Sequence, residues 1–535
     1  KLCKAPESSY SSNQESTSRS SYAIRLRISL GKSRLPGFGK SDLTQHLTRK
    51  KTGKTNYPRV VGLFVCRYRI ILDKKERKMK NRLYDATKID WDNLMFSTKE
   101  LWMLLIPIMV EQMLNSLMGM ADTMMVSNVG SVAMSAVSLV DSINTLVIQV
   151  FAALATGAAI ICSHYLGKGD ERGANKAARQ IFLTVIVISL TITAGGLIFC
   201  RPLLRLIFGA VEPAVMEDSI IYFLITASSY PFIALFNAGG AFYRAGGNSK
   251  FPMKISIISN VLNIIGNAVL IFGCNMGVAG AAISTLVSRA FCAIVVLYFL
   301  RKPKQKIVLN QYHTIRPDFP LIGKVLAIGI PAGVENGMFQ FGKLAIQSTV
   351  STLGTQAIAA QAMTVIFENV NGIAAIAVGI GLMTVAGQAF GAGRKEEAKY
   401  YIIKLTGYAE TVLIISCAVT FLISRPIMHL AGMEAESMEL CYQMLIAITI
   451  AKPILWALSF IPPYGLRAAG DVKFSMITAT CTMWFCRVAL AVYLIRFQGF
   501  GPIAVWIGMF ADWGIRSIIF SIRFLSGKWM EKHVI

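Results

Sequence analysis

The chain has 535 residues, of which 54% are hydrophobic and 16% are charged, and its mean hydropathy is +0.53. Soluble proteins typically carry about 25% charged residues, and disordered chains are low in hydrophobicity, so the composition excludes both classes. It predicts an all-α membrane protein with many spans. The net charge of +25 does not by itself indicate a nucleic-acid partner, and we expect none, because cytoplasmic loops of membrane proteins collect Lys and Arg.

The N-terminal residues 1–78 differ from the rest of the chain. They begin with a Ser-rich stretch, and their apolar run at 60–66 is far shorter than the roughly 20 residues that cross a bilayer. We expect a disordered basic extension here, or sequence that the native protein lacks, with Met79 as the natural start. The alternative is a basic tail that contacts anionic lipid. Residues 79–100 would form a cytosolic N-terminal segment.

Twelve apolar segments follow, separated by turn residues or by charges. They lie at about 101–127, 131–165, 178–200, 218–240, 252–272, 280–300, 321–350, 356–390, 402–424, 437–463, 474–496 and 502–525. Lys and Arg crowd the loops on one side of these segments, whereas the loops on the other side hold only Arg201, Arg205, Arg425 and Arg496. This asymmetry predicts a cell (plasma or inner) membrane protein with both termini in the cytosol.

The second half of the chain repeats the first without gaps over several segments. The matching residues, each pair 224 positions apart, include Pro107 and Pro331, Glu111 and Glu335, and Gly130 and Gly354. The chain is therefore predicted to be a duplicated six-span unit, with an N-lobe at 101–300, a cytosolic inter-lobe linker at 301–320, a C-lobe at 321–525 and a cytosolic tail at 526–535. Parallel repeats of this kind occur among secondary transporters, which place the substrate site between the halves.

Motifs of catalysis and of nucleotide binding do not occur in the sequence. It has no GxxxxGK[ST], HExxH or GxSxG pattern, and its ten cysteines form no CxxC pair. We therefore expect no enzymatic activity and no cofactor. The energy for transport would come from an ion gradient or from a partner chain.

Several acids and bases fall within the apolar segments, where an ionisable group costs about 2.5–3.5 kcal/mol on insertion scales. Their depth along the segments predicts four ion pairs: Asp141 with Arg289, Glu368 with Lys343, Glu410 with Lys452, and Asp512 with Arg487. Glu111, Asp122 and Glu335 would then lack a base. Such acids are expected to take up a proton or another cation.

Three of the segments carry a polar stripe at the spacing i, i+4, i+7, i+11, which is one face of a helix. The stripes are Glu111, Asn115, Met118 and Asp122; Ser256, Asn260, Asn263 and Asn267; and Asn336, Gln340, Lys343 and Gln347. The first two could face each other and offer carboxylate and amide oxygens to a proton or a hard cation. Alternatively, the amides only join helices through hydrogen bonds worth ~0.6 kcal/mol each. The third stripe either lines a path or packs.

Prolines interrupt the first and seventh segments near their inner ends. Pro107 and Pro331 each remove a backbone hydrogen bond, so they could act as hinges or could simply give the helices a fixed bend.

The sequence resembles the multidrug and toxin extrusion (MATE) family over about residues 99–525. The resemblance lies in PIMVEQMLNSLMGMADTMMVSNVG, GAAIICSHYLGKGDERGA, FYRAGGNSKFPM, LNIIGNAVLIFGCNMGVAGAA and GQAFGAGRKEEA. It implies twelve helices in two pseudo-symmetric six-helix lobes around a V-shaped cavity. It also implies export of cationic, amphipathic drugs or toxic metabolites in exchange for H⁺ or Na⁺, by a protein that we expect to be a monomer in the lipid bilayer.

The resemblance also suggests site residues, each carried over at its own position. The family's cation-coupling aspartate matches Asp122, its polar pair matches Asn263 and Asn267, and further polar positions match Asn115 and Thr285. Na⁺ could bind at Asp122, Asn263 and Asn267.

Two departures from the family pattern weaken a C-lobe cation site. The family's seventh-span Glu falls on Phe339, and its tenth-span Asp falls on Trp456. Asp122 is therefore the stronger candidate for the cation-coupling site.

These features predict a cation-coupled antiporter that works by alternating access, with Pro107 bending when Asp122 is neutralised. The substrate-cavity candidates are Glu111, Glu335, Gln340 and Lys343. Two alternatives are a lipid-precursor flippase of the same superfamily and a receptor or scaffold that transports nothing.

Overall fold

Most of the described residues of the chain lie in helices. The structure is a computed structural model, and it describes residues 83–209, 211–303, 305–310, 316–532 and 534, all within one compact unit, Lys78–Ile535. No strand occurs among these residues. The expectations for residues 1–78 fall outside them.

Twelve helical spans follow one another, and we number them in chain order. Spans 1 to 6, which make up the N-lobe, are Thr98–Ser127, Ser131–Gly167, Glu171–Ile198, the pair Pro213–Ser228 and Tyr230–Ala245, Lys250–Asn267 with its π-helical extension Ala268–Gly273, and Gly277–Leu300. Spans 7 to 12, which make up the C-lobe, are Phe319–Val350, Thr355–Gly391, Lys395–Leu430, Ala435–Ala468, the run Val472–Cys481, Thr482–Ala489 and Leu490–Gln498, and Ile503–Ser526.

Most of these spans are long and apolar enough to cross a membrane. Ten meet that description, and the bent pair of span 4 makes an eleventh. Span 7 is long enough at 32 residues but is not among the helices that are apolar enough. The twelve segments predicted from the sequence thus correspond to twelve helical spans, eleven of which are long and apolar enough to cross a membrane.

Span 4 is broken where the sequence predicted one segment at 218–240. Its two helices meet at Ser229 and bend by 41°. Pro231 lies in the first turn of the second helix. A proline has no N–H to donate to the preceding turn, so a backbone hydrogen bond is missing where the two helices meet. The break places Ser229 inside the lobe, where it is fully buried.

The backbone repeats between the lobes as the sequence predicted. Gly130 and Gly354, which precede spans 2 and 8, have φ of 144° and 95°, and Gly169 and Gly393, which follow these spans, have φ of 78° and 76°. These left-handed conformations favour glycine because it has no Cβ. These two turns of the first lobe therefore have counterparts 224 residues later.

The lobes meet mainly through span 2, which packs against spans 7 and 8. At one end of the molecule, which we call the closed end, a Cβ on Gly167 would overlap the backbone carbonyl of Gln388, and one on Gly391 would overlap that of His164. Two further contacts obey the same symmetry, since His164 Nε2 lies 2.6 Å from the Ala468 carbonyl and Gln388 donates to the Ala245 carbonyl at 2.6 Å. The closed end is thus a pair of equivalent joints.

The segment before span 1 also joins the lobes at this end. The backbone N–H of Met95 donates to Glu397 at 2.7 Å, and that of Phe96 donates to Tyr401 at 2.8 Å, both on span 9. Ser97 and Glu100 then begin span 1 as a reciprocal capping box. The start of span 1 is therefore fixed to the C-lobe.

Candidate functional site

Asp122 lies on span 1 within a group of polar side chains from spans 5 and 6. Asn267 donates a hydrogen bond of 2.6 Å to its carboxylate, and Asn263 donates to Thr285 at 3.3 Å. The prediction that the first two polar stripes face each other is thereby confirmed at Asp122 and Asn267, because spans 1 and 5 pack together. We call Asp122, Asn263, Asn267 and Thr285 the N-lobe polar cluster.

Two oxygens of this cluster lack a hydrogen-bond donor. The Oδ1 atoms of Asn263 and Asn267 are buried and have no partner in the described structure, and both asparagines are fully buried. An orphaned buried carbonyl costs about 1–3 kcal/mol. Carboxylate, amide and hydroxyl oxygens are the ligands that hard cations prefer. The donor set therefore suits a small cation, and the carboxylate alone suits a proton.

Asn115, which the resemblance added to this site, lies apart from it. Its side chain is exposed, and no hydrogen bond connects it to the N-lobe polar cluster in the described structure. Asn260 bonds to the Ser256 carbonyl of its own helix at 2.7 Å. The hydrogen bond that joins the two polar stripes in the described structure is therefore the one at Asp122.

Asp141 on span 2 is a second N-lobe acid that has no ion pair in the described structure, although the sequence predicted one. Asn144 donates to it at 3.1 Å and the Tyr222 hydroxyl at 3.3 Å. The predicted ion pair with Arg289 is wrong, because Arg289 donates instead to Ser229 at 2.7 Å, at the break in span 4 that the sequence did not reveal. Asp141 lines a cavity of about 280 Å³ between spans 1 and 2.

Glu111 and Glu335 both have a base, so the prediction that they lack one is wrong. Arg244 lies 3.1 Å from Glu111, and Arg467 lies 2.5 Å from Glu335. Both arginines follow the predicted segments 218–240 and 437–463, yet they lie in the last turns of spans 4 and 10 and reach into the lobes. The internal repeat could have indicated these pairs, since Glu111 and Glu335 are 224 positions apart and Arg244 and Arg467 are 223 positions apart.

Ion pairs in the C-lobe differ from the predicted ones in two cases of three. Glu368 pairs with Lys452 at 2.7 Å, so the predicted pairs of Glu368 with Lys343 and of Glu410 with Lys452 are both wrong. Span 10 places Lys452 beside Glu368 and Asn371 of span 8, and the Lys452 ammonium donates hydrogen bonds to both side chains.

The third C-lobe pair, Asp512 with Arg487, is confirmed at 3.3 Å. Arg516 joins it at 3.0 Å. Arg516 was missed, although it follows Asp512 by four residues on the same helix, which is a spacing that brings charges together.

The remaining sequence candidates lie on span 7 and near the closed end. Lys343 is exposed and Gln340 is half-buried, and neither has a hydrogen bond or ion pair in the described structure. Pro107 and Pro331 are buried within spans 1 and 7, which continue through them. Their role as hinges stays a prediction.

The hydrogen bonds between the lobes that the described residues show run from the closed end to mid-span. The farthest from the closed end joins Asn336 on span 7 to the Gln149 carbonyl on span 2, at 3.3 Å. Asp122 lies beyond this level, near the opposite end of span 1. The N-lobe polar cluster is therefore on the side where the lobes are less joined.

Comparisons with known proteins agree on one family. The MatE family model matches residues 107–269 and 331–493. The uncharacterized transporter YisQ of Bacillus subtilis is 29% identical and aligns over 81% of this chain and 96% of its own length. The probable multidrug resistance protein NorM of Thermotoga maritima is 27% identical over 82% of this chain and 94% of its own length.

A solved structure shows the same fold. It is described as the outward-facing conformation of a multidrug resistance MATE family transporter of the MOP superfamily. It matches with a TM-score of 0.75 at 20% identity and covers 83% of this chain and 98% of that chain. The two-lobed, twelve-helix architecture predicted from the sequence is thus confirmed.

Proposed function

Because the chain belongs to the MatE family, a family of membrane transporters, we propose that it is a secondary antiporter of the cell membrane. It exports cationic, amphipathic drugs or toxic metabolites in exchange for H⁺ or Na⁺, acts as a monomer, and keeps both termini in the cytosol. The observation that carries this proposal is the N-lobe polar cluster. Among the described residues, this cluster combines a carboxylate that has no ion pair with two buried amide oxygens that accept no hydrogen bond.

The N-lobe polar cluster is where the ion would load. A carboxylate within a span is costly unless it is paired or neutralised. Asp122 has no ion pair in the described structure and only one hydrogen bond, from Asn267. A proton on Asp122 or a Na⁺ held by Asp122, Asn263 and Asn267 would remove that cost. Loading of the ion is therefore favourable where the ion is abundant.

Loading would be coupled to movement through span 1. Pro107 leaves one backbone carbonyl of span 1 without its usual donor, so the helix can bend there. Neutral Asp122 allows the outer part of span 1 to repack against spans 2 and 5. This favours release of substrate and separation of the lobes at the closed end, which is alternating access.

The closed end fits the inner gate of such a cycle. The loops on that side carry the excess of Lys and Arg that marks the cytosolic face. The equivalent joints at Gly167 and Gly391 hold the lobes together there, and the less joined side would face the exterior. The conformation thus fits the state in which the ion loads from outside.

Transport in proteoliposomes with the pH and Na⁺ gradients imposed separately tests the proposal. We expect a fluorescent cation to accumulate inside the vesicles when either H⁺ or Na⁺ flows out of them down its gradient. We expect no accumulation when both gradients are absent. Flux of a lipid-linked precursor, with no flux of the cation, would support the flippase instead. Absence of any gradient-driven flux would support a receptor or scaffold.

A further inference from the structure

Six charged side chains lie together halfway along the spans of the C-lobe. We call them the C-lobe charge cluster: Lys343, Glu368, Lys452, Arg487, Asp512 and Arg516. Four of its members are cations and two are carboxylates. Glu410 on span 9 is a further acid within the C-lobe spans, and it makes no ion pair with the cluster in the described structure. The cluster therefore carries a surplus of positive charge.

Both carboxylates of the cluster are already used. Glu368 accepts from Lys452 at 2.7 Å, and Asp512 lies within 3.3 Å of both arginines. Lys343 is left with no hydrogen bond and no ion pair in the described structure. A cation at mid-span needs a counter-ion or water, because the surrounding bilayer solvates it poorly.

Lys343 and Arg487 border the same aromatic ring. The Lys343 ammonium lies 5.2 Å from the centroid of the Phe339 ring, and the Arg487 guanidinium carbon lies 5.1 Å from it. Two cations beside one ring repel each other. Arg487 is 2% exposed, and its Nε atom lies 3.3 Å from the Asp512 carboxylate without a hydrogen bond to it in the described structure. Asp512 also pairs with Arg516, and no acceptor among the described residues bridges Arg487 and Lys343.

The backbone around Arg487 departs from the α-helix. Arg487 lies in the π-helical segment Thr482–Ala489 of span 11. Such segments are rare and frequently occur at functional sites. The N-lobe offers a parallel, since Asn267 directly precedes the π-helical segment Ala268–Gly273. Both features point to a ligand site rather than to helix packing.

The Lys343 side of span 7 faces the space between the lobes. Asn336 on this stripe contacts span 2 of the N-lobe, and Lys343 follows it by seven residues, two turns farther from the closed end. Gly342, its neighbour, instead faces Met483 of span 11. Lys343 is exposed, so its ammonium is accessible to a molecule that passes between the lobes.

We propose that Lys343 and Arg487 bind an anionic group, a carboxylate or a phosphate, on the amphipathic substrate. The inference rests on the proposed function, because it assigns a chemical group to the substrate of that same transporter. The guanidinium and the ammonium hydrogen-bond to the anion, and the Phe339 ring contacts the apolar part beside it. A cationic part of the same substrate can lie toward the acids Asp122 and Asp141 of the N-lobe.

Equilibrium binding of two matched dyes tests this site. Rhodamine 110 and rhodamine 123 share a cationic ring system, and differ in that the first carries a free carboxylate where the second carries a methyl ester. Binding to the purified full-length protein in detergent is followed by fluorescence polarisation. We expect rhodamine 110 to bind about tenfold more tightly than rhodamine 123, as one charge-assisted hydrogen bond implies.

Variants on span 7 assign the preference to its residue. Lys343→Gln is expected to abolish the preference, so that the two dyes bind with equal affinity, whereas Lys343→Arg retains the preference. The matched control is Lys324→Gln, which removes an exposed cation of the same span near the closed end and should change nothing. Equal binding of the two dyes by the unmodified protein, or a preference that survives Lys343→Gln, overturns the proposal.

The same measurement separates this site from a lipid site and from the antiporter itself. Displacement of rhodamine 110 by phosphatidylglycerol in the micelles, but not by phosphatidylcholine, would assign the cations to a lipid headgroup and overturn the substrate site. The binding assay needs no gradient. Preference without gradient-driven transport would therefore reject the antiporter and support the site, and gradient-driven transport without preference would reject only the site.

Discussion

The carboxylates within the spans differ in what neutralises them. Glu111, Glu335, Glu368 and Asp512 each have a base within 3.3 Å, whereas Asp122 is held by an amide. A carboxylate paired with a base keeps its charge through a transport cycle, because protonation would leave the base unpaired. A carboxylate held only by an amide can gain and lose a cation. Asp122 therefore fits the coupling role, and the paired acids fit structural ones.

Removing Arg244 should destabilise the N-lobe. Arg244→Met leaves Glu111, which is 4% exposed, without its base, and breaking a buried pair in this way typically costs about 3–5 kcal/mol. We expect a matching fall in the free energy of unfolding, measured by denaturant titration in detergent. The double variant Glu111→Gln with Arg244→Met should recover part of the loss. Unchanged stability in the single variant would contradict the structural role of this pair.

At the scale of single residues, the sequence indicated which groups matter better than it indicated their partners. Asp122, Asn263 and Asn267 were named because polar residues within apolar helices need a reason to be there, whereas Thr285 was named from the family resemblance. Partners depend on helix rotation and on breaks, which hydropathy does not report. Arg289 shows this, since the break in span 4 provides Ser229 as its acceptor.

At the scale of elements, the helices largely follow from the pattern of apolar runs and turn glycines. The repeat also fixed the turns, since Gly130 and Gly354 take the same kind of left-handed conformation. Several helices extend beyond their apolar segments at both ends. Span 9, for example, extends over Lys395–Leu430 where hydropathy marked 402–424, because charged first and last turns remain helical outside the apolar layer.

Replacing Pro107 tests whether this residue acts as a hinge in span 1. Pro107→Ala restores a backbone donor and removes the ring that clashes with the preceding turn, so bending becomes less favourable. We expect slower gradient-driven transport with unchanged thermal stability, measured on the same proteoliposome preparation. Pro426→Ala provides the control, because Pro426 also lies inside a helix but outside the coupling span. Equal rates for Pro107→Ala and the unmodified protein would exclude the hinge.

At the scale of the whole molecule, duplication places two equivalent joints at the closed end. Gly167 meets the Gln388 backbone in one joint, and Gly391 meets the His164 backbone in the other. Nothing in the sequence marks Gly167 and Gly391 as contacts between the lobes. Single-sequence patterns describe one lobe at a time, so the way two copies pack had to come from the structure.

Gly391→Ala should open the closed end. Its added Cβ would overlap backbone that cannot move independently of span 2. Spin labels at Lys168→Cys and Ala392→Cys, equivalent exposed positions in the two lobes, would report a longer distance by double electron–electron resonance. Gly407→Ala is the matched control, because a Cβ there meets nothing within 4 Å. An unchanged distance distribution in Gly391→Ala would contradict the joint.

The role of Asp122 is tested most directly by transport through Asp122→Asn under an imposed H⁺ or Na⁺ gradient. The matched control is Glu410→Gln, which removes another half-buried span carboxylate that lacks an ion pair in the described structure. We expect Asp122→Asn to bind the fluorescent cation but to stop accumulating it against its gradient, while Glu410→Gln transports normally. Full gradient-driven accumulation by Asp122→Asn would contradict the account.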